Sequence, residues 1–309
     1  MRESTRDKVR DVAEKMGYHP QVFAQGLAKN KKDSIMMFVP IISNHFFMEV
    51  LGAIQDKLTA ENFELNIVHI TSDEDPFKQV EYQIKRQWAD GYLFVSLHFD
   101  KSKWEVFKKF NVPISVIDES NSIFDTVTVD NVQGSYLATD YFIKKGFRRL
   151  AFLSALPGSV PVKERLIGYK QALTDADIQF DEHLIQCGDD ISRDGFTEKS
   201  GYQAMKKILE IDPLPEACIC ASDIKAIGAL KAMKDAGLQI PMIGYDNLTI
   251  AEYVGLSTVH QPIYKMGAEA TERLIKRISC PKEKITTILY EPELVIRNSS
   301  EVSAGTKNA

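Results

Sequence analysis

Short apolar runs alternate with longer amphipathic stretches along most of the chain. The runs lie at 34–40, 65–70, 92–97, 114–117, 150–153, 217–221 and 242–245. Between and after them come amphipathic stretches at 46–61, 76–89, 102–110, 131–145, 163–176, 195–210, 222–236 and 263–278. A near-continuous apolar run suits a strand buried on both faces, and amphipathic helices on either side supply the cover. The alternation therefore predicts an α/β protein with parallel sheets, each sheet covered by helices on both faces. Gly91, Gly146 and Gly237 fall near predicted helix ends, where glycine is expected. Two similar doubly wound domains fit, one near 34–130 and one near 131–260. The late helix 263–278 and strands near 285–297 have no room in such a layout, so they are expected to cross back between the domains.

The first 33 residues follow a different pattern. Basic residues dominate: Arg2, Arg6, Lys8, Arg10, Lys15, Lys29, Lys31 and Lys32. Val9, Val12, Ala13 and Met16 have helical spacing, and Gly17 stops that helix as a C′ glycine does. Pro20 suits the start of a second short helix over 21–28, followed by the polar linker 30–33. This basic segment sits on an acidic body, since the net charge of the chain is -5.

A length of 309 residues makes two domains the default. No run of about 18 apolar residues is present, so no membrane span is predicted. The charged N-terminus has no apolar secretory core, which places the chain in the cytoplasm by expectation. Four cysteines are sparse for this length. Cys218 and Cys220, two apart in an apolar run, would share one strand face as small buried hydrophobes. No histidine or cysteine pair with metal spacing accompanies them, so neither a metal nor a cofactor is predicted.

Motifs for catalysis are missing. There is no nucleophile elbow, no phosphate loop and no dinucleotide fingerprint. The carboxyl ends of the predicted strands carry more signal. Ser96, Asp118, Ser222-Asp223 and Tyr245-Asp246-Asn247 each end an apolar run. One polar group per strand end would converge on a cleft of an open α/β sheet. The competing reading is that such residues cap the next helix, above all Ser222 and Asp223. His45 and His98 also follow predicted strands; exposure in a loop is the expectation for both. Arg165 is predicted to open a helix, where the dipole disfavours a cation; a buried role, its guanidinium fork holding two hydroxyls or a carboxylate, would explain it, and a solvated arginine at a helix start is the alternative.

Several segments resemble the lactose-repressor (LacI/GalR) family of bacterial transcription regulators. Ser43-Asn44-His45-Phe46-Phe47 resembles its I-S-N-P-F-F segment. Val129-Asp130-Asn131 with Gly134 resembles its V-x-x-D-N-x-x-G crossover. Arg165-Leu166-Ile167-Gly168-Tyr169 is similar to R-x-x-G-Y. Ala221-Ser222-Asp223 through Leu230 resembles A-N-D-x-x-A-x-G-A-L. Ile243 to Asn247 and Ser257 to Pro262 resemble its closing motifs.

The resemblance implies two doubly wound domains of periplasmic-binding-protein type. They would comprise 34–130 with 263–289, and 131–262 with 290–309. It implies a homodimer, with helices near 46–61 and 222–236 at the interface. It implies a small effector in the interdomain cleft, taken as a sugar in preference to a nucleobase. Carried onto this sequence, the effector positions are Asn44, Phe46, Phe47, Ser96, Asp118, Arg165, Asp190, Ser222 and Asp246. Three departures stand out: His45 replaces a usual proline, Ser222 a common asparagine, and Asp190 an aromatic that often stacks on the ligand.

At the front, residues 4–20 resemble only the third helix of the family's DNA-binding domain and the turn after it. The helix-turn-helix is expected ahead of Met1, with operator DNA as the partner of the complete protein. Ala24, Gln25 and Leu27 resemble the A-R-x-L hinge helix, with Gln25 in place of arginine. A sugar-binding receptor of a transport system is the alternative reading, since it shares the two-domain fold.

Overall fold

The computed structural model describes residues 32–42, 44–71, 73–119, 123–156, 159–190 and 192–301, together with Val12, Lys15 and Met16. The hinge positions Ala24, Gln25 and Leu27, with almost all of the 1–33 segment, lie outside the described residues.

The predicted alternation is realised as strands and helices. The first run is β1 (Ser34–Val39), α1 (His45–Ala60), β2 (Glu64–His69), α2 (Pro76–Arg86), β3 (Gly91–Val95), α3 (Lys101–Lys109), β4 (Ile114–Ile117) and β5 (Asp125–Val129). Then come α4 (Asn131–Lys144), β6 (Leu150–Leu153), α5 (Val160–Asp175), β7 (Ile185–Gln186), α6 (Glu198–Leu209), β8 (Ala217–Cys220), α7 (Asp223–Ala236), β9 (Met242–Asp246), α8 (Thr249–Tyr253) and β10 (Ser257–His260). Last are α9 (Ile263–Ser279), β11 (Thr287–Tyr290) and β12 (Glu293–Val295).

The strands form two six-stranded sheets, ordered β11-β5-β4-β3-β1-β2 and β12-β10-β9-β8-β6-β7. All pairings are parallel except β10 with β12. The chain passes between the sheets at Asp130, at Gln261-Pro262 and again at Glu291-Pro292. Thus α9 packs on α1 and the first sheet, β11 extends that sheet, and β12 returns to the second. Each sheet reverses its strand order once, between β1 and β3 and between β6 and β8.

Strand periodicity divides the core. In β1, Ile35, Met37 and Val39 face α1 and α9, whereas Met36 and Phe38 face the α2–α3 side. In β8, Cys218 and Cys220 share the face under α6 and α7, as free thiols among apolar side chains. Ala217 and Ile219 take the other face, with α4 and α5. The strand β5 was absent from the apolar runs because Asp125, Thr126 and Thr128 interrupt it. Val127 and Val129 still face the core, and Asp125 accepts from the Arg277 guanidinium of α9 at 2.7 Å.

Candidate functional site

The carboxyl edges of the two sheets face a common cavity of about 550 Å³. That lies within the roughly 300–1,000 Å³ typical of small-molecule sites. Its walls come from the loops after β1, β3 and β4 on one side, and after β6, β8 and β9 on the other. Both strand-order reversals therefore open onto it, which is where α/β sheets bind ligands.

The backbone bends sharply at three of the contributing strand ends. Ser96 has φ 48°, Asp118 φ 60° and Asp246 φ 117°. Non-glycine residues are uncommon at positive φ, and such conformations cost on the order of 1–3 kcal/mol each. Here they bring the strand-end residues to the cavity instead of continuing the chain smoothly.

Eight of the nine expected effector positions line the cavity: Asn44, Phe46, Phe47, Ser96, Asp118, Arg165, Ser222 and Asp246. Two of them also cap helices. Asn44 Oδ1 accepts from Phe46 N at 2.9 Å, and Ser222 Oγ accepts from Lys225 N at 3.3 Å. The capping and cavity roles thus coexist. Asp223 does not line the cavity. It is buried below it, accepting from Thr258 Oγ1 at 2.6 Å and Leu248 N at 2.8 Å.

Asp190 is the exception. Its carboxylate accepts from Thr197 Oγ1 at 2.8 Å, beside the start of α6, and it is absent from the cavity wall. The aromatic surface in this region comes from Phe196 instead, with Asp194 beside it. A second correction concerns Arg165. The helix begins at Val160, so Arg165 stands in its second turn and the dipole argument loses its force. A third concerns His98, which lines the cavity. Further wall residues that the sequence did not single out include Phe99, Ser159 and Gln261. Gln261 sits in a crossover between the sheets, where a periodicity argument gives no signal.

Arg165 organises the polar centre. The residue is 4% exposed. Nε donates to Asn131 Oδ1 at 2.9 Å, and Nη1 donates to Ala221 O at 2.5 Å. The guanidinium lies over the Tyr245 ring, 3.7 Å from its centroid, and 3.8 Å from Asp246 Oδ1. Asn131 in turn donates to Glu164 at 2.9 Å. Opposite, Ser96 Oγ donates to Asp118 Oδ2 at 2.6 Å, and His98 Nδ1 is 2.5 Å from Glu119. Gln261 is 2% exposed; its Nε2 donates to Asp246 at 2.6 Å, while its Oε1 has no hydrogen-bond partner. The cavity is walled by Phe46, Phe47, Phe99 and Phe196.

Burial sets the electrostatics. It pushes the Asp246 carboxyl up to about 7, against the pull of Arg165 and Gln261. Asp118 is raised for the same reason, with His98, Ser96 and Arg165 opposing. For His98 burial disfavours the charged ring, but the Glu119 hydrogen bond and the surrounding carboxylates prevail and raise it. A raised carboxyl favours the folded state in its protonated form. Asp246 should therefore contribute stability below about pH 4, its unfolded range, and lose that contribution as pH rises through about 7. Asp246→Asn is expected to flatten that part of the stability profile, read by chemical unfolding from pH 4 to 8. An unchanged profile would mean that Asp246 does not titrate there.

The sequence profile of the periplasmic binding protein-like domain matches residues 139–300. Catabolite control protein A of Priestia megaterium is 32% identical over 300 residues, 93% of this chain and 87% of the relative. Two solved structures share the fold across most of the chain. The transcriptional regulator CelR in complex with cellobiose has a TM-score of 0.76 at 25% identity, covering 97% of this chain and 91% of that one. A LacI family transcriptional regulator from Enterococcus faecium with bound ribose has a TM-score of 0.75 at 26% identity, covering 86% and 98%.

Proposed function

The chain belongs to the LacI family of transcriptional regulators, and from that premise we propose that its cavity binds a neutral polyhydroxylated effector, a sugar, that controls operator binding. The reading rests most on the unpartnered Gln261 Oε1, buried in the cavity wall beside Asp246. A buried acceptor without a partner costs roughly 1–3 kcal/mol, and a hydroxyl proton would relieve it. Arg165 supplies donors, whereas Asp118, Asp246 and Gln261 supply acceptors. A sugar hydroxyl can donate and accept at once; a simple anion cannot. Phe46, Phe47, Phe99 and Phe196 offer surface for the C–H faces of a sugar ring. The ribose and cellobiose complexes of the two similar structures support the same class.

The proposal includes the two-lobe division, 34–130 with 263–289 and 131–262 with 290–309. It also includes a homodimer with α1 and α7 near the interface; Met48 on α1 is 55% exposed.

A melting-temperature screen against sugars, polyols, nucleosides and phosphosugars tests the effector class. A ligand that binds only the folded state stabilises it by about 2.7 kcal/mol at 100 times its Kd. At least one neutral sugar is expected to raise the melting temperature. A response to nucleosides alone would remove the sugar reading and leave the cavity as a site of another class.

A further inference from the structure

Lys225, the third residue of α7, is 0% exposed. Its Nζ donates to Gly195 O at 3.0 Å and to Ser200 Oγ at 2.8 Å. Among the described residues no carboxylate lies within ion-pair distance of it. The site is an unfavourable one for a cation. It adjoins the first turn of α6, where the helix dipole repels positive charge, and burial lowers the ammonium to about 8. An apolar side chain of similar length would fill the space without that desolvation. The lysine is therefore best explained by what its N–H groups hold.

They hold the segment that forms one wall of the cavity. Asp194 and Gly195 are both left-handed, with φ 55° and 78°, so the chain turns tightly just before Phe196. Asp194 and Phe196 line the cavity, and Asp194 O accepts from Leu156 N at 3.0 Å, another wall residue. Lys225 grips the same turn from beneath, one residue along. Its own backbone is immobilised, because Gly201 of α6 packs so closely on it that a Cβ there would overlap the Lys225 carbonyl oxygen.

We infer that Lys225 is a positioning residue for effector binding: it ties the 194–196 turn to α7 and so fixes Asp194 and Phe196 relative to Ser222 and Ile224, which also line the cavity. For its effect on affinity the inference rests on the sugar-binding reading above. The placement of the turn is independent of that reading.

Lys225→Met keeps the length and apolar stem and removes the donors. Amide hydrogen exchange in the ligand-free protein is the first readout. The Leu156 amide, bound to Asp194 O, is expected to exchange about tenfold faster or more, while the Cys218 amide of the neighbouring strand, bound to Pro241 O, is unchanged. Affinity for ribose or cellobiose, whichever shifts the wild-type melting temperature, is expected to fall about tenfold. Ser200→Ala removes one of the two acceptors and should move both quantities in the same direction by less; it carries the test if Lys225→Met does not fold. Leu156 exchange within twofold of wild type in a folded variant would overturn the inference. Faster exchange with unchanged sugar affinity would overturn it too. If neither sugar binds the wild type, the choice of probe sugars fails, and the exchange readout still decides the role of Lys225.

Discussion

Replacing Arg165 by alanine is expected to weaken binding of any sugar found for the cavity by tenfold or more, and to destabilise the fold by about 3 kcal/mol. The two effects have different origins. A charge-assisted hydrogen bond contributes about 1.5–3 kcal/mol, and about 1.4 kcal/mol is already tenfold in affinity. The stability loss arises among the protein's own groups. Without the guanidinium, Asn131 Oδ1 and Ala221 O lose their donors and buried Asp246 loses its neighbouring cation. The Asp246 carboxyl, already pushed up to about 7 by burial, should then rise further, extending its pH-dependent loss of stability to higher pH. Asp246→Asn separates the contributions. It removes a buried charge at constant shape, so stability near pH 8 should hold or rise, whereas sugar affinity should still fall. Calorimetric titration with a screened sugar and urea unfolding measure both. An Arg165→Ala protein that folds and binds like wild type would refute the assignment of Arg165 to the site.

Gly228→Ala is expected to cost about 3 kcal/mol or more, the upper end of overpacking penalties. A Cβ at Gly228 of α7 would overlap the Glu198 carbonyl oxygen and crowd Tyr202 N, both on α6. Gly201 of α6 makes the reciprocal approach to the Lys225 backbone. The two helices are thus locked at two points, backbone against backbone, and neither can shift without disturbing the other contact. A single approach of the same kind joins α4 and α5, where a Cβ at Gly168 would overlap the Val132 carbonyl oxygen. Gly228 and Gly168 belong to segments that resemble family motifs, and this packing gives a physical reason for them. Urea unfolding should show a lower midpoint with the slope unchanged. A loss under 1 kcal/mol would mean that the helices separate easily.

The sheet strands and their covering helices were legible because burial on both faces leaves a direct trace in the sequence. β5, β7 and β10 left no such trace: Asp125, Thr126 and Thr128 interrupt β5, β7 is only Ile185-Gln186, and polar Ser257, Thr258 and His260 dominate β10. The strand-end residues Ser96, Asp118 and Asp246 were legible for a related reason: each is the first polar group after an apolar run. Gln261, Phe99 and Phe196 were not: Gln261 and Phe99 lie in connecting segments without periodicity, and Phe196 lies just ahead of α6, which begins at Glu198 and not at the start of the 195–210 stretch. Asp190 was placed by resemblance alone, and local chemistry overrode it. Its carboxylate is engaged by Thr197, the residue that caps α6, and the aromatic surface arrives six positions later. Arg165 lines the cavity, but its helix position differs from the expected one, because Pro161 in the first turn places the start at Val160.

The threefold passage of the chain between the sheets also constrains how the protein is made. The first sheet is completed by β11, and one of its faces is closed by α9, yet both leave the ribosome after every strand of the second sheet except β12. At roughly 5–20 residues per second, β1 to β5 wait on the order of ten seconds for them. Until then the apolar side chains of β3, β4 and β5 that pack under α9 in the finished protein lie partly uncovered, and β5 presents an unpaired edge. Completion of the first sheet is therefore gated by α9 and β11, and until they emerge its uncovered strands are exposed to association with other chains.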